Sequence, residues 1–489
     1  MLESTDDPAE PVSRESGPPI GAPHQGSGRP RIVVAALLSA FFGLLGACGR
    51  MAGDAPLTLE TPTSASFACA STSWDQPGRT TYYVAIDEPG ADNETCDGLS
   101  PVDKGNGHCP FRDFSSARVR ETLYRGSDGI VGTRRVTLVV REGTYPIVPL
   151  NAIEGEPNIP LWIYGSGASE AEAVVLAAYP GETPVLDGTC DPSLPECASP
   201  EDPGRLWTIL QAWGHWIRVE GITFDNAHKW NITVQASQAC FRDNRLLGPY
   251  GSDSDSVKSF NGSGPAVVVR QNEFTGHGEQ AMDLTNAWDW VIEGNEIHDG
   301  VAGIGGKFGM HEVAIRGNYF HHLARTAMGT GTSSDHRYPY EAWDIRFEDN
   351  RVEDVGGHAF QIVFCARCSI RNNSVTRAVY GISMPNQGPS GCPGGCRPST
   401  AIEIVNNRFR EMLGATKGGV PPDLFVAVDP TVVADIIAAD NLYCVGSGSR
   451  AAFWRGGEEI LDFAAWIAAV ETDSSSSVLP LADPECSSW

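Results

Sequence analysis

An asparagine repeat constrains the fold of this chain more than any other sequence feature. Eight segments share one pattern: a short apolar run, an asparagine, and another apolar residue two positions later. The asparagines are Asn244, Asn272, Asn295, Asn318, Asn350, Asn373, Asn407 and Asn441. They are separated by 28, 23, 23, 32, 23, 34 and 34 residues, so a unit needs at least 23 residues. That length fits three short strands with their turns, and the segments lack the periodicity of helices.

A second apolar run completes each unit. It begins about nine residues after several of the asparagines, for example at residues 281–285, 303–307 and 381–384. Each unit therefore supplies one strand before the asparagine, one after it and a third further on. Stacked units would bond to one another as parallel strands do. An asparagine at the same corner of every unit can satisfy backbone groups of the turn, so we predict a structural asparagine ladder.

This pattern resembles the right-handed parallel β-helix proteins of the pectate lyase superfamily, with their asparagine ladder. The resemblance covers roughly residues 80–470, including an amphipathic stretch at 111–123 that suits a cap. Residues 463–466 and 482–484 look like the tail of bacterial β-helix proteins related to chondroitinase B and alginate lyases. The resemblance implies an all-β chain that forms a single-stranded right-handed solenoid with an N-terminal helical cap. Because such folds host many activities, function has to be argued from a site.

Composition and charge narrow the class of partner. The 54 glycines and 34 prolines suit the corners of one continuous coil better than the linkers of three separate domains. A net charge of -26 provides no basic field for phosphates, so we expect no nucleic-acid partner. The same acidity suits calcium, whose ligands are hard oxygens.

The N-terminal region has the character of a leader. Residues 29–47 combine an Arg-Pro-Arg start with a 16-residue apolar run that ends at Cys48. This resembles the bacterial lipobox, which implies a lipid on Cys48 and a location in the cell envelope, facing the periplasm or the extracellular space. A plain transmembrane anchor is the alternative. We predict a disordered extension at 1–28, a linker at 48–79, the β-helix at 80–470 and a tail at 471–489.

The other 12 cysteines suit disulfides in an exported chain. Close neighbours such as Cys96 and Cys109 would staple loops, although the spacing leaves the connectivity open. Cys365 and Cys368 have the spacing of half a zinc site or of a redox pair.

Candidate site residues follow from alternation along the third strand of each unit. If Met282, Ile304 and Phe360 point inward, the outward positions include Asp283, Thr285, Lys307 and Gln361. Neighbouring turns and loops add the residues His277, Glu279, Asp299, His322, Arg325, His336, Arg337 and Tyr338. Several tryptophans, among them Trp207 and Trp213, could stack on sugar rings or pack in the core.

In the lyases that the chain resembles, such groups would cleave a uronate-containing glycan by β-elimination. Calcium held by Glu279, Asp283 and Asp299 would neutralise the uronate carboxylate and acidify the adjacent C5 proton. Lys307 or a neighbouring arginine, Arg325 or Arg337, would take the proton, and His322 or Tyr338 would protonate the leaving oxygen. The predicted substrate-binding residues are His277, Thr285, His336 and Gln361.

The alternative is a non-catalytic β-helix that binds glycan or serves as a surface scaffold. The lysine that follows clustered acidic ligands in chondroitinase-like lyases is absent after Asp283, where the chain reads Leu-Thr-Asn-Ala-Trp. Both hypotheses place an acidic or neutral polysaccharide against the third strands. In both hypotheses the protein contacts the membrane only through the lipid on Cys48.

Overall fold

The computed structural model describes residues 69, 78–115, 119, 120, 123, 135–147, 161–190, 204–251, 254–260, 262–331, 338–385, 397–413, 422–428, 435–446, 450–455, 458–460, 463–470 and 472–487. All of these belong to one compact unit, Leu59–Trp489. The predicted extension at 1–28, the leader at 29–47 with Cys48, and the loop residues His336 and Arg337 lie outside the described residues.

Short strands dominate the described part of the chain. In chain order they are β1 Thr80–Val84, β2 Val136–Val140, β3 Thr144–Pro146, β4 Leu161–Ser166, β5 Val174–Ala178, β6 Val185–Asp187, β7 Thr208–Glu220, β8 Thr223–Asp225, β9 Trp230–Arg242, β10 Arg245–Leu247, β11 Asp255–Ser259, β12 Val267–Arg270, β13 Glu273–Thr275, β14 Gln280–Thr285, β15 Trp288–Glu293, β16 Glu296–His298, β17 Ala302–Lys307, β18 Met310–Arg316, β19 Tyr319–Leu323, β20 Met328–Thr330, β21 Ala342–Glu348, β22 Arg351–Gln361, β23 Cys365–Ala366, β24 Ser369–Arg371, β25 Ser374–Met384, β26 Ile402–Val405, β27 Arg408–Arg410, β28 Pro422–Val428, β29 Ile436–Ala439, β30 Leu442–Val445, β31 Arg450–Arg455, β32 Glu458–Ile460 and β33 Ser477–Pro480. The helices whose bounds lie within the described residues are a 3₁₀ turn at Glu170–Glu172, α1 at Phe463–Val470 and α2 at Pro484–Ser487.

These strands form three parallel sheets that wind around one core. The first sheet lies before the asparagine corner and contains β2, β5, β12, β15, β18, β21, β24, β26 and β29. The second sheet follows that corner and contains β3, β6, β8, β10, β13, β16, β19, β27, β30 and β33. The third sheet contains β4, β11, β14, β17, β20, β28 and β31. Long strands turn corners: β7 and β9 run from the third sheet into the first, and β22 and β25 from the second into the third.

Apolar side chains fill the space between the three sheets. In the third sheet, Val257, Met282, Ile304, Met328 and Phe360 stack in register and are buried. Each belongs to the same hydrophobic core as the inward residues of the other sheets. The predicted inward orientation of Met282, Ile304 and Phe360 is therefore confirmed, and the alternate residues of these strands face outward.

The asparagine ladder is confirmed as a continuous chain of side-chain hydrogen bonds. Each carboxamide oxygen accepts from the backbone N–H and the side-chain NH₂ of the ladder asparagine one coil earlier, as between Asn295 and Asn272 at 3.0 Å. Each NH₂ also donates to a backbone carbonyl, as from Asn295 to Val269 at 3.0 Å. The first, Asn244, accepts from Ile222 N at 3.1 Å. These buried bonds satisfy backbone groups that the corner leaves unpaired.

The residue before each ladder asparagine adopts the left-handed backbone conformation. Its φ lies between 55° and 64° at all eight corners. These positions hold Asp243, Gln271, Gly294, Gly317, Asp349, Asn372, Asn406 and Asp440. Aspartate, asparagine and glycine tolerate that conformation best, so the local sequence matches the turn at seven of the eight corners.

Both ends of the coil stack are covered. At the N-terminal end, Val119 and Leu123 are helical and are buried in the main core together with Phe111 and Phe114, which agrees with the predicted cap. At the C-terminal end, the buried Trp466 of α1 donates to Asp473 Oδ2 at 3.0 Å. Covering the last coil shields strand edges that could otherwise pair with other chains. None of the helices in the described residues is both long enough and apolar enough to span a membrane.

Disulfides join four cysteine pairs of the described residues. The predicted link between Cys96 and Cys109 is present. The others join Cys69 to Cys240, Cys365 to Cys368, and Cys444 to Cys486. Of the two possibilities for Cys365 and Cys368, the structure therefore has a disulfide, and both residues are fully buried.

Candidate functional site

Register across the third sheet brings outward-facing residues into one row. Lys258 pairs with Asp283, Asp283 with Gly305, and Gly305 with Gly329, which pairs in turn with Gln361. Neighbouring strands lie about 4.8 Å apart, so these five positions follow one another along the coil axis. The prediction had placed Asp283 and Gln361 on this face from alternation alone.

A cluster of opposite charges occupies the start of this row. Asp283, which is 1% exposed, accepts hydrogen bonds from Lys258 and from Lys307, the latter at 2.9 Å. Lys258 also lies 3.3 Å from the buried Asp255. The Thr285 hydroxyl is 3.4 Å from the other oxygen of Asp283. Asp283 therefore links the two lysines.

Burial and charge shift the proton affinities of this cluster. Burial, followed by the charge of Asp283, raises the pKa of Asp255 to about 7. Burial alone would lower the pKa of Lys258, but the charges of Asp283 and Asp255 outweigh it and raise that pKa. Lys258 is thus held as a cation between two carboxyl groups.

A cleft of about 240 Å³ opens next to this cluster on the same face. Its polar walls include Glu279, Gln280, Arg325, Thr326 and Gln361. The remaining lining residues are Val301, Ala302, Ile304, Gly305, Gly306, Gly329, Thr330 and Gly331. The structure therefore gathers three of the predicted site residues, Glu279, Arg325 and Gln361, around one cavity.

Glycines 305 and 329 line the cleft and let its walls pack closely. A Cβ at Gly305 would collide with Gln280 Oε1, and a Cβ at Gly329 would lie 3.3 Å from the Gln361 carbonyl oxygen. Within the described residues, Gln280 Oε1 is buried and has no hydrogen-bond partner. Arg325 is exposed, and no acidic group of the described residues forms an ion pair with it. The lining of the cleft therefore includes an amide, a carboxylate and a cation.

Sequence reasoning did not identify Lys258, Asp255 or Gln280. Lys258 and Asp255 lie in β11, whose inward Val257 comes 13 residues after Asn244, whereas Met282 comes 10 residues after Asn272. The extra residues in that turn moved β11 out of the expected spacing. Aligning the apolar residues of the third strands rather than counting from the asparagines would have found both charges.

His277 does not face the cleft. Its side chain is buried and packs beneath Gly300, where a Cβ would overlap the imidazole ring. Burial lowers the pKa of His277 to about 4, so the ring is neutral near pH 7. The structure thus separates His277 from Thr285 and Gln361, with which it was grouped.

Asp299 and His322 belong to a histidine cluster at the second sheet. His298 Nδ1 lies 2.7 Å from Asp299 Oδ2, and His322 Nδ1 lies 3.8 Å from Asp299 Oδ1. His321 stacks on His298 with ring centroids 4.9 Å apart and is 2.9 Å from His322 between Nδ1 atoms. The acidic neighbours of these histidines hold them together outside the cleft.

The residues suggested as calcium ligands do not converge. Asp283 forms ion pairs with two lysines, and Glu279 lines the cleft. Asp299 follows β16 and contacts histidines. In the part of the chain that the structure describes, no group of three or more His, Cys, Asp or Glu residues could hold a metal ion. Glu279, Asp283 and Asp299 therefore do not together form the expected calcium site.

Tyr338 lies over the first sheet. A Cβ at Gly309 would meet its ring, and its ring centroid is 6.1 Å from that of Trp343. Trp343 stacks in turn on His311 at 4.5 Å. Tyr338 is absent from the cleft lining, and the adjacent Arg337 and His336 lie outside the described residues.

Comparison with known proteins agrees with this architecture. Residues 212–409 match the family model described as "Right handed beta helix region". The fold is a right-handed parallel β-helix. A search of curated protein sequences gives no match.

Among solved structures, the chain is similar to the A-module of the mannuronan C-5 epimerase AlgE4 of Azotobacter vinelandii, with 13% identity, a TM-score of 0.47, and coverage of 81% of this chain and 99% of that one. It is also similar to XylC, solved in complex with xylose, with 10% identity, a TM-score of 0.46 and coverage of 83% and 87%. A third is PfbA, a surface adhesin of Streptococcus pneumoniae, with 10% identity, a TM-score of 0.44 and coverage of 70% and 87%.

Proposed function

We propose that the outer face of the third sheet binds a polysaccharide, with one sugar unit seated in the cleft above Gly305 and Gly329. The observation that carries this proposal is the glycine floor next to polar walls. It leaves a cavity of about 240 Å³ on an otherwise continuous parallel sheet. Its lining residues come from the neighbouring strands β14, β17, β20 and β22, so the cavity spans successive coils along the axis.

The walls suit a hydroxyl-rich ring. Gln280 and Gln361 offer amide donors and acceptors, and Thr326 adds a side chain with a hydroxyl. Binding sites commonly fix orientation with a few such polar groups in a preformed concavity. Arg325 lies at the rim as a cation, which suits a sugar carboxylate or a ring hydroxyl. If Arg325 contributes strongly to binding, the sugar is acidic; if it contributes little, the sugar is neutral.

Affinity electrophoresis in gels containing alginate, polygalacturonate or xylan tests the proposal. Arg325→Ala should weaken retention in an acidic polymer by about tenfold or more, because a charge-assisted hydrogen bond contributes about 1.5–3 kcal/mol. Arg245→Ala is the matched control, since Arg245 is an exposed arginine on the second sheet, 3.0 Å from Glu273. Gly329→Val should also weaken retention by filling the cleft. Equal retention of wild type and both cleft variants would disprove binding there.

Cleavage is the second candidate function, and Arg325 is the observation in its favour. An arginine without an acidic partner among the described residues can neutralise a uronate carboxylate, which favours loss of the C5 proton. Lys307, bound to Asp283 at 2.9 Å, could take that proton only as a neutral amine, after it has left Asp283 and given a proton to solvent. As the C4–O bond breaks, water would protonate the leaving oxygen. A lyase would generate a C=C bond conjugated to the carboxylate, so ultraviolet absorbance should rise with alginate or polygalacturonate.

This rise should persist in EDTA, because Glu279, Asp283 and Asp299 do not meet at one site. It should disappear in Lys307→Ala but not in Arg245→Ala. Retention without any absorbance change would identify a non-catalytic glycan-binding β-helix. In that case the cleft would remain a binding site, and only the elimination would be rejected.

A further inference from the structure

Exposed tryptophans occupy the N-terminal coils of the third sheet, away from the cleft. Trp213 on β7 is 42% exposed. Its ring stacks on Trp162 of β4, with centroids 5.8 Å apart and planes inclined by 26°. Trp213 pairs in register with Tyr164, so three aromatic side chains lie on two neighbouring strands. Trp162 thus covers part of the Trp213 ring, and the rest is open to solvent.

A second exposed tryptophan lies at the corner that leads into the same sheet. Trp207 is 44% exposed and meets Trp230 edge to face at 6.1 Å. Trp230 is supported by Phe260 at 5.2 Å. The Lys229 ammonium lies 5.6 Å from the centre of the Trp207 ring and is itself buried. Contacts with Trp230 and Lys229 therefore fix the position of the exposed Trp207 ring.

Apart from Lys229 beneath Trp207, the outward positions next to these rings on β7 and β9 are uncharged. Between Trp213 and the lysine cluster, the outward positions are Gln211, Thr233 and Gln235. The first charged side chain along the row is Lys258 on β11. The chain has a net charge of -26, so this strip of aromatic, amide and hydroxyl groups differs from the rest of the chain in its lack of acidic side chains. Aromatic faces suit the C–H face of a sugar ring, and amides suit its hydroxyls.

The strip and the cleft lie on the same outer face of the third sheet, several coils apart. Four strand steps separate β7 from β17, through β9, β11 and β14. At about 4.8 Å for each step, Trp213 lies about 19 Å along the axis from Gly305. The paired charges of Lys258 and Asp283 lie between the two. Trp162 lies in the same register row as Gly305, so one polymer along the coil axis can contact both Trp162 and the cleft. Trp207 comes six residues before Trp213 and therefore lies about 20 Å from it across the sheet.

We propose that Trp162, Tyr164, Trp213 and Trp207 form a set of stacking subsites for uncharged pyranose units of a polysaccharide. This aromatic strip rests on the proposed function only in that the same polymer continues into the cleft. Stacking does not need the cations of the cleft, so the strip should bind neutral polymers by itself. A protein partner would be held instead by a broad apolar area, which the amides on this strip interrupt.

Affinity electrophoresis with the full chain in xylan, galactomannan or hydroxyethylcellulose tests the strip. Trp213→Ala and Trp207→Ala should each weaken retention by about tenfold, the loss typical of a central aromatic contact. Trp213→Tyr should recover most of it, because a ring remains to stack. Trp343→Ala is the matched control, since Trp343 stacks on His311 on the first sheet.

Salt and the cleft variant separate this proposal from the proposed function. Retention in neutral polymers should not change between about 0.1 and 1 M salt, where the Debye length falls from about 10 to 3 Å. It should also survive Arg325→Ala. Retention by neutral polymers that is unchanged in both tryptophan variants would overturn the strip and leave the cleft intact. Failure of every neutral polymer to retain wild type would overturn the strip as well, and retention in alginate alone would then assign binding to the cleft.

Discussion

Asn373 lies in the middle of the asparagine ladder, where its side chain makes four hydrogen bonds. Its oxygen accepts from Asn350 N at 2.9 Å and from Asn350 Nδ2 at 3.0 Å. Its NH₂ donates to Phe347 O and to Asn407 Oδ1, both at 2.9 Å. Asn373 is 1% exposed, so water cannot replace these partners without opening the coil.

Asn373→Ala should therefore lower the free energy of unfolding by about 4 kcal/mol, at about 1 kcal/mol for each lost bond. The buried N–H of Asn350 would lose its acceptor, which places the loss toward the upper end for a single substitution. Urea unfolding followed by circular dichroism measures the change. In hydrogen exchange, the amide of Asn350 should lose protection by roughly a thousandfold, since 1.4 kcal/mol corresponds to a factor of ten.

The preceding residue offers a matched control. Asn372 is exposed, has a φ of 57°, and accepts one bond from Asn406 Nδ2 at 2.8 Å. Asn372→Gly loses that bond but places glycine in a conformation that suits it, so stability should change by less than about 1 kcal/mol. A loss below about 1 kcal/mol for Asn373→Ala would refute the ladder as a source of stability. An equal loss in both variants would attribute the effect to the turn.

Three further predictions concern buried ionisable groups. Because the pKa of Asp255 is raised from 3.8 to about 7, stability should fall as pH rises through that interval, and Asp255→Asn should flatten the pH dependence of the urea midpoint. The pKa of His277 is lowered from 6.5 to about 4, so stability should fall as pH drops through this range. His277→Gln should reduce that loss, and unchanged acid sensitivity would contradict the assignment. Asp473→Ala removes acceptors for Tyr443 and Trp466 at 3.1 and 3.0 Å and should cost about 2 kcal/mol or more in thermal or urea unfolding. A loss near zero would show that α1 closes the last coil by apolar packing alone.

The ladder was predictable because its chemistry repeats at short range. At every corner, the ladder asparagine follows a residue in the left-handed conformation, and a buried apolar residue comes two positions later. Each unit must also bond to the next. One periodic signal therefore indicated the strands, the corners and the parallel stacking together. The same periodicity correctly predicted that Asp283 faces outward.

The candidate site was predictable only in part. Alternation predicted that Asp283, Thr285 and Lys307 share one face, since alternation along a strand is a local property. It could not reveal that Lys258 would bind Asp283, because that contact depends on the register between β11 and β14. Asp299 was grouped with Asp283 from its position in a neighbouring turn, although the coil places Asp299 beside the histidines of the second sheet.

The fold of this protein was thus contained in the spacing of its asparagines and in the alternation of its strands, both of which act over neighbouring residues. The site could not be predicted in this way. The number of residues in each turn determines which outward side chain of one coil lies next to which side chain of the following coil. A few extra residues before β11 place Lys258 beside Asp283, and glycines at 305 and 329 leave a cleft whose walls come from separate coils. Such contacts form only when the coils have stacked, since they join residues that are distant along the chain.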